Sequence, residues 1–146
     1  MRVEFTIPGE PQGKARARTV RNKYTGAIMS YTPEQTVVYE KMIALAYKQK
    51  TAENFKTNPV AVSIYAYHSI PKSWSNRKKT DAVNGLIPPT KKPDADNIAK
   101  VVCDALNGVA YKDDSQIAHL FVHKFYSHVP RVEVEIFDIG AEVQNG

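Results

Sequence analysis

The sequence predicts one small α/β domain of the α+β type, with two or three helices packed on a mixed β-sheet of about four strands. Three observations support this fold class. Four segments show the two-residue alternation or the β-branched composition of strands. Three other segments show helical spacing or helix end signals, but strands and helices do not alternate as in a regular βαβ fold. The length of 146 residues fits a single domain, which we expect to span residues 1–146.

The first predicted strand is followed by an irregular basic segment. Apolar and polar residues alternate over residues 2–7, which is typical of a strand with one buried face. Prolines and glycines over residues 8–13 interrupt this pattern. Residues 14–31 are polar and basic without a clear period, so we expect a loop or an irregular hairpin there.

A helix is predicted from Pro33 to Lys50. The sequence Thr-Pro-Glu-Gln at residues 32–35 has the pattern of a capping box, with Thr32 as the cap and proline at the first helical position. An apolar stripe is expected to turn this helix toward the core. Its members are Val38, Met42, Leu45 and Ala46.

A second strand and a short helix follow. Residues 59–67 are rich in β-branched and aromatic side chains and predict the strand. The short helix over residues 76–84 would be capped by Ser73 or Ser75 and would stop at Gly85.

A longer helix and two strands complete the predicted fold. Residues 96–106 carry apolar side chains on one face at helical spacing, and an Asn-Gly pair ends this helix. Residues 117–127 and 131–137 both alternate, and Pro130 lies between them. They predict an antiparallel hairpin.

The net charge of +5 comes from clustered basic residues. More than half of the 20 lysines and arginines fall in three short clusters. They are Lys14, Arg16, Arg18, Arg21 and Lys23; Lys72, Arg77, Lys78 and Lys79; and Lys91 and Lys92. A solvated surface is the simpler interpretation of any one cluster. Three clusters beside a group of carboxylates favour a polyanionic partner such as nucleic acid.

The composition also indicates a compartment and excludes some classes of protein. Cys103 is the only cysteine, so no intrachain disulfide can form, which is typical of the reducing cytoplasm. Its apolar neighbours predict a buried, inert thiol. Residues 1–10 contain no long apolar run, so we expect no signal peptide, and no segment approaches the ~20 apolar residues of a membrane helix. Because no long apolar run is present, we expect no membrane partner. Phosphate-binding glycine motifs are also absent, so we expect no nucleotide cofactor.

Five aspartates are gathered in residues 91–116 of this basic protein. Carboxylates held close together repel one another, and bound divalent cations relieve that repulsion because hard cations take oxygen ligands. A magnesium site on a basic surface would suit chemistry on a phosphate backbone. The five are Asp94, Asp96, Asp104, Asp113 and Asp114.

The spacing suggests how some of these aspartates meet. Asp94 and Asp96 follow a proline, and in an extended segment side chains two apart point the same way, so both would face one ion. Asp96 also stands where a helix cap belongs. Asp113 and Asp114 precede a predicted strand, and either one completes the site if that strand runs beside Asp94 and Asp96.

Other residues of the same region allow two interpretations each. Lys100 follows Asp96 and precedes Asp104 at i+4 spacing, which fits either a helix salt bridge or a lysine that meets a scissile phosphate. Trp74 would stack on a base or anchor a helix. His119 and His123 are interpreted as sheet residues, because their spacing lacks metal-binding geometry on a strand.

The motifs of the chain resemble those of the RusA-type Holliday junction resolvases, which phages and prophages often carry. The core of the resemblance is K-K-P-D-A-D-N-x-x-K, D-A-L-N-G and Y-K-D-D-S-Q within residues 91–117. The segments G-x-P-x-x-K-x-R-x-R at residues 9–18 and P-K-S-W-S at residues 71–75 are similar to the phage branch. The ordered combination is specific, although each piece alone is weak.

The resemblance implies a homodimeric, magnesium-dependent endonuclease that resolves four-way DNA junctions by paired nicks, with Mn²⁺ as an alternative ion. It assigns Asp94, Asp96 and Asp114 as metal ligands and Lys100 as the functional lysine. Asp104 and Asp113 match supporting acidic positions.

The basic clusters are the expected contacts to branched DNA. They include Lys14, Arg16, Arg18, Lys72, Arg77, Lys78, Lys79, Lys91 and Lys92. A two-fold dimer would suit the near two-fold symmetry of a junction. Two alternatives stay open, namely an architectural junction-binding protein without catalysis and a less specific metal-dependent nuclease.

Overall fold

The computed structural model describes residues 1–140 as a four-stranded mixed sheet, a separate two-stranded sheet and three α-helices. In chain order the elements are β1 (Arg2–Pro8), β2 (Arg18–Arg21), β3 (Ile28–Tyr31), α1 (Glu34–Lys50), β4 (Val60–Ser69), α2 (Asn76–Val83), α3 (Ala95–Ala105), β5 (Ile117–Ser127) and β6 (Arg131–Asp138). A 3₁₀ turn at Asp114–Gln116 precedes β5. The predicted α+β class and mixed sheet are confirmed.

The four-stranded sheet has the order β1-β6-β4-β5. Strand β4 runs parallel to β5 and antiparallel to β6, and β6 pairs antiparallel with β1. The predicted hairpin of β5 and β6 is therefore wrong, because β4 lies between them. Alternation identifies a strand and its buried face, but it carries no information about which strands are neighbours. A connection of three residues, 128–130, is long enough to pass the end of one intervening strand.

The core lies between one face of the sheet and helices α1 and α3. Strands β1 and β6 contribute alternate apolar side chains, and the ring of Phe5 meets that of Tyr47 edge to face at 5.5 Å. Edge-to-face aromatic pairs of this kind add about 0.5–1.5 kcal/mol to the burial of the rings. Within residues 1–140 no helix combines the length and the apolarity needed to cross a bilayer.

Helix α1 presents a different face to the core from the one that its sequence predicts. The buried residues are Thr36, Tyr39, Ile43 and Tyr47. Of the predicted stripe, Ala46 packs against the core, but Val38, Met42 and Leu45 are 50%, 38% and 54% exposed. The helix carries apolar side chains around much of its circumference, and the aromatic set offers the larger area for burial. Spacing alone therefore chose the wrong stripe.

The start of α1 also differs from the predicted capping box. The residue before the helix is Pro33, and no side chain donates to or accepts from the first turn as a cap. Thr32 is thus not the capping residue. The first two helical residues, Glu34 and Gln35, are exposed, so water can pair with the amides that a polar cap would otherwise serve.

Strands β2 and β3 form a hairpin that projects from the domain, here called the β2–β3 arm (residues 18–31). All eight strand residues are exposed. The irregular hairpin predicted for this segment is confirmed. A two-stranded hairpin alone is marginally stable in water, so the arm is positioned mainly by the chain at its base.

The two shorter helices follow their sequence signals. Ser75 caps α2 by accepting a hydrogen bond from the amide of Lys78 at 3.2 Å, and Gly85 follows the helix with a φ of 79°. Helix α3 buries Ile98, Val101 and Val102 against the sheet, as its periodicity predicts. The opposite face of α3 is left free for polar residues.

Candidate active site

A groove of about 620 Å³ between α3 and β5, here called the α3–β5 groove, is lined by three of the five aspartates of the motif region. Helix α3 contributes Asp96, Lys100 and Asp104 to its lining, and the 3₁₀ turn before β5 contributes Asp114. The floor is apolar. The sequence left open whether β5 runs beside the start of α3, and the structure shows Asp96 of α3 and Asp114 and Ile117 at the start of β5 in the lining of one groove.

The local structure of α3 explains why these side chains share one wall. The apolar residues at helical spacing bury one face, so residues 96, 100 and 104, each one turn apart, line the other. Asp96 lies in the first turn, and the residue at the helix N-cap is Asp94. The predicted cap at Asp96 and the extended segment through residues 94–96 are therefore wrong.

This start of α3 gives Asp94 and Asp96 different local structures, with Asp94 at the extended N-cap and Asp96 in the first helical turn. Asp96 lines the α3–β5 groove and Asp94 does not. Accordingly, no three acidic, histidine or cysteine side chains among the described residues lie close enough to form a ready-made metal centre.

The five aspartates divide by the contacts that they make within residues 1–140. Asp104 forms ion pairs with two lysines, and Asp113 accepts a hydrogen bond from the amide of Ser115. The carboxylates of Asp94, Asp96 and Asp114 make neither ion pairs nor hydrogen bonds among the described residues. Unpartnered carboxylates beside a groove are chemically suited to a hard cation, although the structure brings together only Asp96 and Asp114.

Asp113 has a structural role in the turn before β5. Its carboxylate accepts from the Ser115 amide at 3.0 Å, and its own amide donates to the side chain of Gln116 at 2.9 Å. These two hydrogen bonds form a capping box. The hydrogen bonds from Ser115 hold the pKa of the Asp113 carboxyl below its usual value. Since Asp113 is used in this way, Asp114 is the better-placed member of the pair for a bound ion.

Lys100 is both ion-paired and exposed. Its Nζ lies 3.2 Å from Oδ2 of Asp104, and 61% of its side chain is accessible to solvent. It lines the α3–β5 groove together with Asp96 and Asp114. The salt bridge predicted as one of two alternatives is present, and its lysine also lines the groove.

A segment that the sequence left undefined packs beside this site. Residues 11–15, here called the 11–15 strap, run past the start of α3. The amide of Lys14 donates to the carbonyl of Asn97 at 3.0 Å. A side chain at Gly13 would come within 2.9 Å of the Cβ atoms of Asn97 and Pro93, so only glycine fits this approach.

The side chain of Lys14 turns into the protein. Its Nζ lies 2.7 Å from Glu40 and 3.4 Å from Asp104, and only 20% of the side chain is exposed. Partial burial alone would lower the pKa of Lys14, but hydrogen bonding and charge from Glu40, followed by Asp104, outweigh it and raise that pKa. Sequence reasoning missed Glu40, because no local spacing connects it with the motif region.

Most of the other predicted DNA contacts lie at the surface. Lys79 is half-buried, and the remaining members are exposed. Those exposed residues are Arg16, Arg18, Lys72, Arg77, Lys78, Lys91 and Lys92. Lys124, which the sequence analysis did not select, donates to the carbonyl of Lys91 at 2.6 Å and holds the loop that leads to Asp94. The sequence alternation predicts that Lys124 lies on a strand, but it does not predict the hydrogen bond from Lys124 to Lys91.

The remaining candidate residues occupy structural positions. Lys78 Nζ lies 4.0 Å from the centre of the Trp74 ring, and Tyr126 meets that ring edge-on, which fits the interpretation as a helix anchor. His119 and His123 lie on β5, where His123 stacks on Tyr65. Cys103 is buried, and this burial raises the pKa of its thiol to about 11, so it is unsuited to nucleophilic attack.

Comparison with known proteins gives one family and two relatives. The sequence model of the family described as Endodeoxyribonuclease RusA matches residues 8–137. A protein of Bacillus subtilis (strain 168), named uncharacterized protein YqaN, is 43% identical over 142 residues that cover 95% of this chain and 98% of the relative. The crossover junction endodeoxyribonuclease rusA of Lactococcus phage r1t is 27% identical over 143 residues, covering 95% of this chain and all of the phage protein.

Proposed function

The chain belongs to the endodeoxyribonuclease RusA family, and from this we propose that it is a Mg²⁺-dependent endonuclease that resolves four-way DNA junctions by paired nicks. The observation that carries the proposal is the α3–β5 groove, where the carboxylates of Asp96 and Asp114 lie beside Lys100 without partners among residues 1–140. The phage relative named as a crossover junction endodeoxyribonuclease supports the choice of a junction over other DNA. The proposed site of action is the cytoplasm of a bacterial or phage-infected cell.

The metal would be held by carboxylates of two elements. Asp96 and Asp114 face the same groove, and Asp94 lies at the adjoining end of α3. A bound Mg²⁺ or Mn²⁺ supplies a more acidic water and positive charge for the leaving oxygen of a phosphodiester. The protein's own contribution is to place these carboxylates and to keep other partners away from them.

Lys100 would serve the scissile phosphate. Its ammonium lies on the same wall as Asp96, one helical turn further along α3. Negative charge grows on the phosphate oxygens in the transition state, and a fixed cation there lowers the barrier. No protein nucleophile is required, and the nearest thiol, Cys103, has a pKa raised to about 11 by burial.

The β2–β3 arm and its base would bind the DNA backbone. Arg16 and Arg18 are exposed on a segment without a helix that could enter a groove of DNA, so we expect contacts to phosphates and not to bases. We predict that Arg16→Ala combined with Arg18→Ala weakens junction binding for all sequences. The log–log salt slope of the affinity should become flatter by up to ~2 units.

Fluorescence anisotropy over a salt series would measure this slope. The matched control removes Lys48 and Lys50, which carry the same charge at the far end of α1, a helix about 25 Å long. The control should change the slope less. A lost sequence preference with an unchanged slope in the Arg16/Arg18 variant would contradict phosphate contacts.

We also propose that the protein acts as a homodimer, and the outward face of α1 supports this. Val38, Met42 and Leu45 form an exposed apolar stripe on a helix whose other face is buried in the core. If the stripe is the dimer contact, Met42→Glu places an unpaired charge in it and should raise the dimer dissociation constant at least ~100-fold. Sedimentation velocity would measure the change.

A control substitution separates this effect from general surface chemistry. Val83 on α2 is 45% exposed and is not part of the α1 stripe, so Val83→Glu should leave the dimer intact. A dimer that withstands Met42→Glu would place the contact on another surface.

One comparison tests the proposed function against both alternatives. A synthetic four-way junction and a linear duplex of the same sequence would be incubated with the protein in Mg²⁺ and in EDTA. We expect paired nicks in the junction only, and only with the metal. Tight binding without nicking would indicate an architectural protein, and equal cutting of both DNAs would indicate a less specific nuclease.

A further inference from the structure

Lys14 differs from the other basic residues of its cluster. Arg16, Arg18, Arg21 and Lys23 are exposed, whereas Lys14 is held between two carboxylates with one-fifth of its side chain accessible. An ammonium group in such a position is a poor phosphate contact, because binding DNA would require it to leave both partners. The ammonium of Lys14 therefore interacts with carboxylates of α1 and α3 inside the protein.

The backbone around Lys14 is fixed as well. The 11–15 strap is held to α3 by the hydrogen bond from the Lys14 amide to Asn97 and by the close approach of Gly13. It is held to α1 by the amide of Ala15, which donates to Oγ1 of the buried Thr36 at 3.2 Å. The position of the ammonium is thus set from both sides.

Four charged side chains form an alternating row. Glu40 pairs with Lys14 at 2.7 Å, Lys14 with Asp104 at 3.4 Å, and Asp104 with Lys100 at 3.2 Å. The two lysines share a single oxygen, Oδ2 of Asp104. The last member of the row, Lys100, reaches the α3–β5 groove.

We infer that Lys14 is a positioning residue for Lys100, which it controls through the carboxylate of Asp104. This inference rests on the proposed function of Lys100. Because Lys14 neutralises part of the charge on Asp104, the attraction between Asp104 and Lys100 is strong enough to orient Lys100 but too weak to hold it in a tight ion pair. Its ammonium stays available to a phosphate beside Asp96 and Asp114.

Loss of Lys14 has a definite consequence in this arrangement. Asp104 and Glu40 would be left without the cation between them, and Asp104 would have Lys100 as its one remaining cation in the row. The stronger pull of an uncompensated carboxylate would hold the Lys100 ammonium away from the phosphate. The rate of cleavage would fall, while the affinity for DNA, which depends on other residues, would not.

The experiment compares cleavage rate and binding in the full-length protein. Single-turnover cleavage of a four-way junction at saturating Mg²⁺ gives the rate, and anisotropy in EDTA gives the affinity. Lys14→Met should cut about tenfold more slowly, less than the ~10²–10³ expected for losing a transition-state contact itself. Its affinity should stay within about twofold of wild type, since one inward-facing lysine makes no phosphate contact.

Two further variants separate positioning from simple stability. Adding Asp104→Asn to Lys14→Met removes the uncompensated charge and should restore at least half of the lost rate on a logarithmic scale. Glu40→Gln breaks the same network but removes the competing carboxylate of Lys14. Lys14 would then pair with Asp104 alone and still neutralise it, so this variant should not slow cleavage. Lys41→Met, an exposed lysine next to Glu40, is the matched control and should change neither quantity.

The outcomes that would overturn the inference are distinct. One is a Lys14→Met protein that cuts at the wild-type rate. The other is an equal loss of rate in Lys14→Met and Glu40→Gln, in step with their melting temperatures. Either result assigns Lys14 a purely structural role, and so does a Lys14→Met protein that does not fold. A wild-type protein that cuts no junction would instead overturn the proposed function, and this inference with it.

Discussion

Asn in place of Asp96 or of Asp114 is expected to abolish junction cleavage while leaving junction binding intact or stronger. The substitution keeps the shape of the side chain but removes the negative charge that a hard cation requires. Loss of a metal-bound water and of charge stabilisation should lower the rate by at least ~10³-fold. Each lost carboxylate also reduces repulsion of the DNA backbone, so the affinity should not fall.

The variant Asp94→Asn tests whether a carboxylate outside the α3–β5 groove takes part in metal binding. Asp94 lies outside the α3–β5 groove at the start of α3, and its carboxylate makes no capping hydrogen bond. We expect the same loss of cleavage, because the ion would draw this unpartnered carboxylate toward Asp96 and Asp114. Calorimetric titration with Mn²⁺ provides a readout besides activity, and each of the three variants should bind the ion more weakly than wild type.

The adjacent residue supplies the control for this series. Asp113 is committed to the capping box before β5, so Asp113→Asn should do less harm to cleavage than Asp114→Asn. If Asp113→Asn proves the more damaging change, the roles of the two residues are reversed. Full-rate cleavage by any one of the other three variants would remove that residue from the metal site.

Lys100→Ala should yield a protein that folds, dimerises and binds junction DNA, yet cleaves at least ~10-fold more slowly at saturating Mg²⁺. A lost transition-state contact typically lowers turnover by ~10²–10³-fold. Lys100 and Asp104 form an i,i+4 ion pair whose lysine side is exposed, and i,i+4 pairs on helices contribute only about 0.3–0.5 kcal/mol to stability. The effect on rate should therefore far exceed the effect on stability.

The matched control for this variant is Lys112→Ala. Lys112 is an exposed lysine just before the turn of Asp113 and Asp114 and does not line the α3–β5 groove. It should change neither the rate nor the melting temperature appreciably. A Lys100→Ala protein that melts several degrees lower but cuts at the normal rate would show that Lys100 is a helix salt bridge and nothing more.

The sequence by itself determined most helices and strands of this protein and part of the layout of the candidate site. Alternation located β1, β5 and β6, and β-branched and aromatic composition located β4. The spacing of Ile98, Val101 and Val102 fixed the buried face of α3. Because that face is buried, the i+4 series from Asp96 through Lys100 had to line the other side. These features depend on residues a few positions apart, and their geometry is the geometry of one helix or one strand.

The tertiary structure alone decided which elements are neighbours. It placed β4 between β5 and β6, turned Tyr39 and Tyr47 of α1 inward in place of Met42 and Leu45, and set Lys14 against Asp104. In each case several arrangements have the same local sequence pattern, so the local sequence does not distinguish them. The winner is the one that buries more apolar area or pairs more charge across the whole molecule, and residues 14 and 104 carry no local mark of the contact they make.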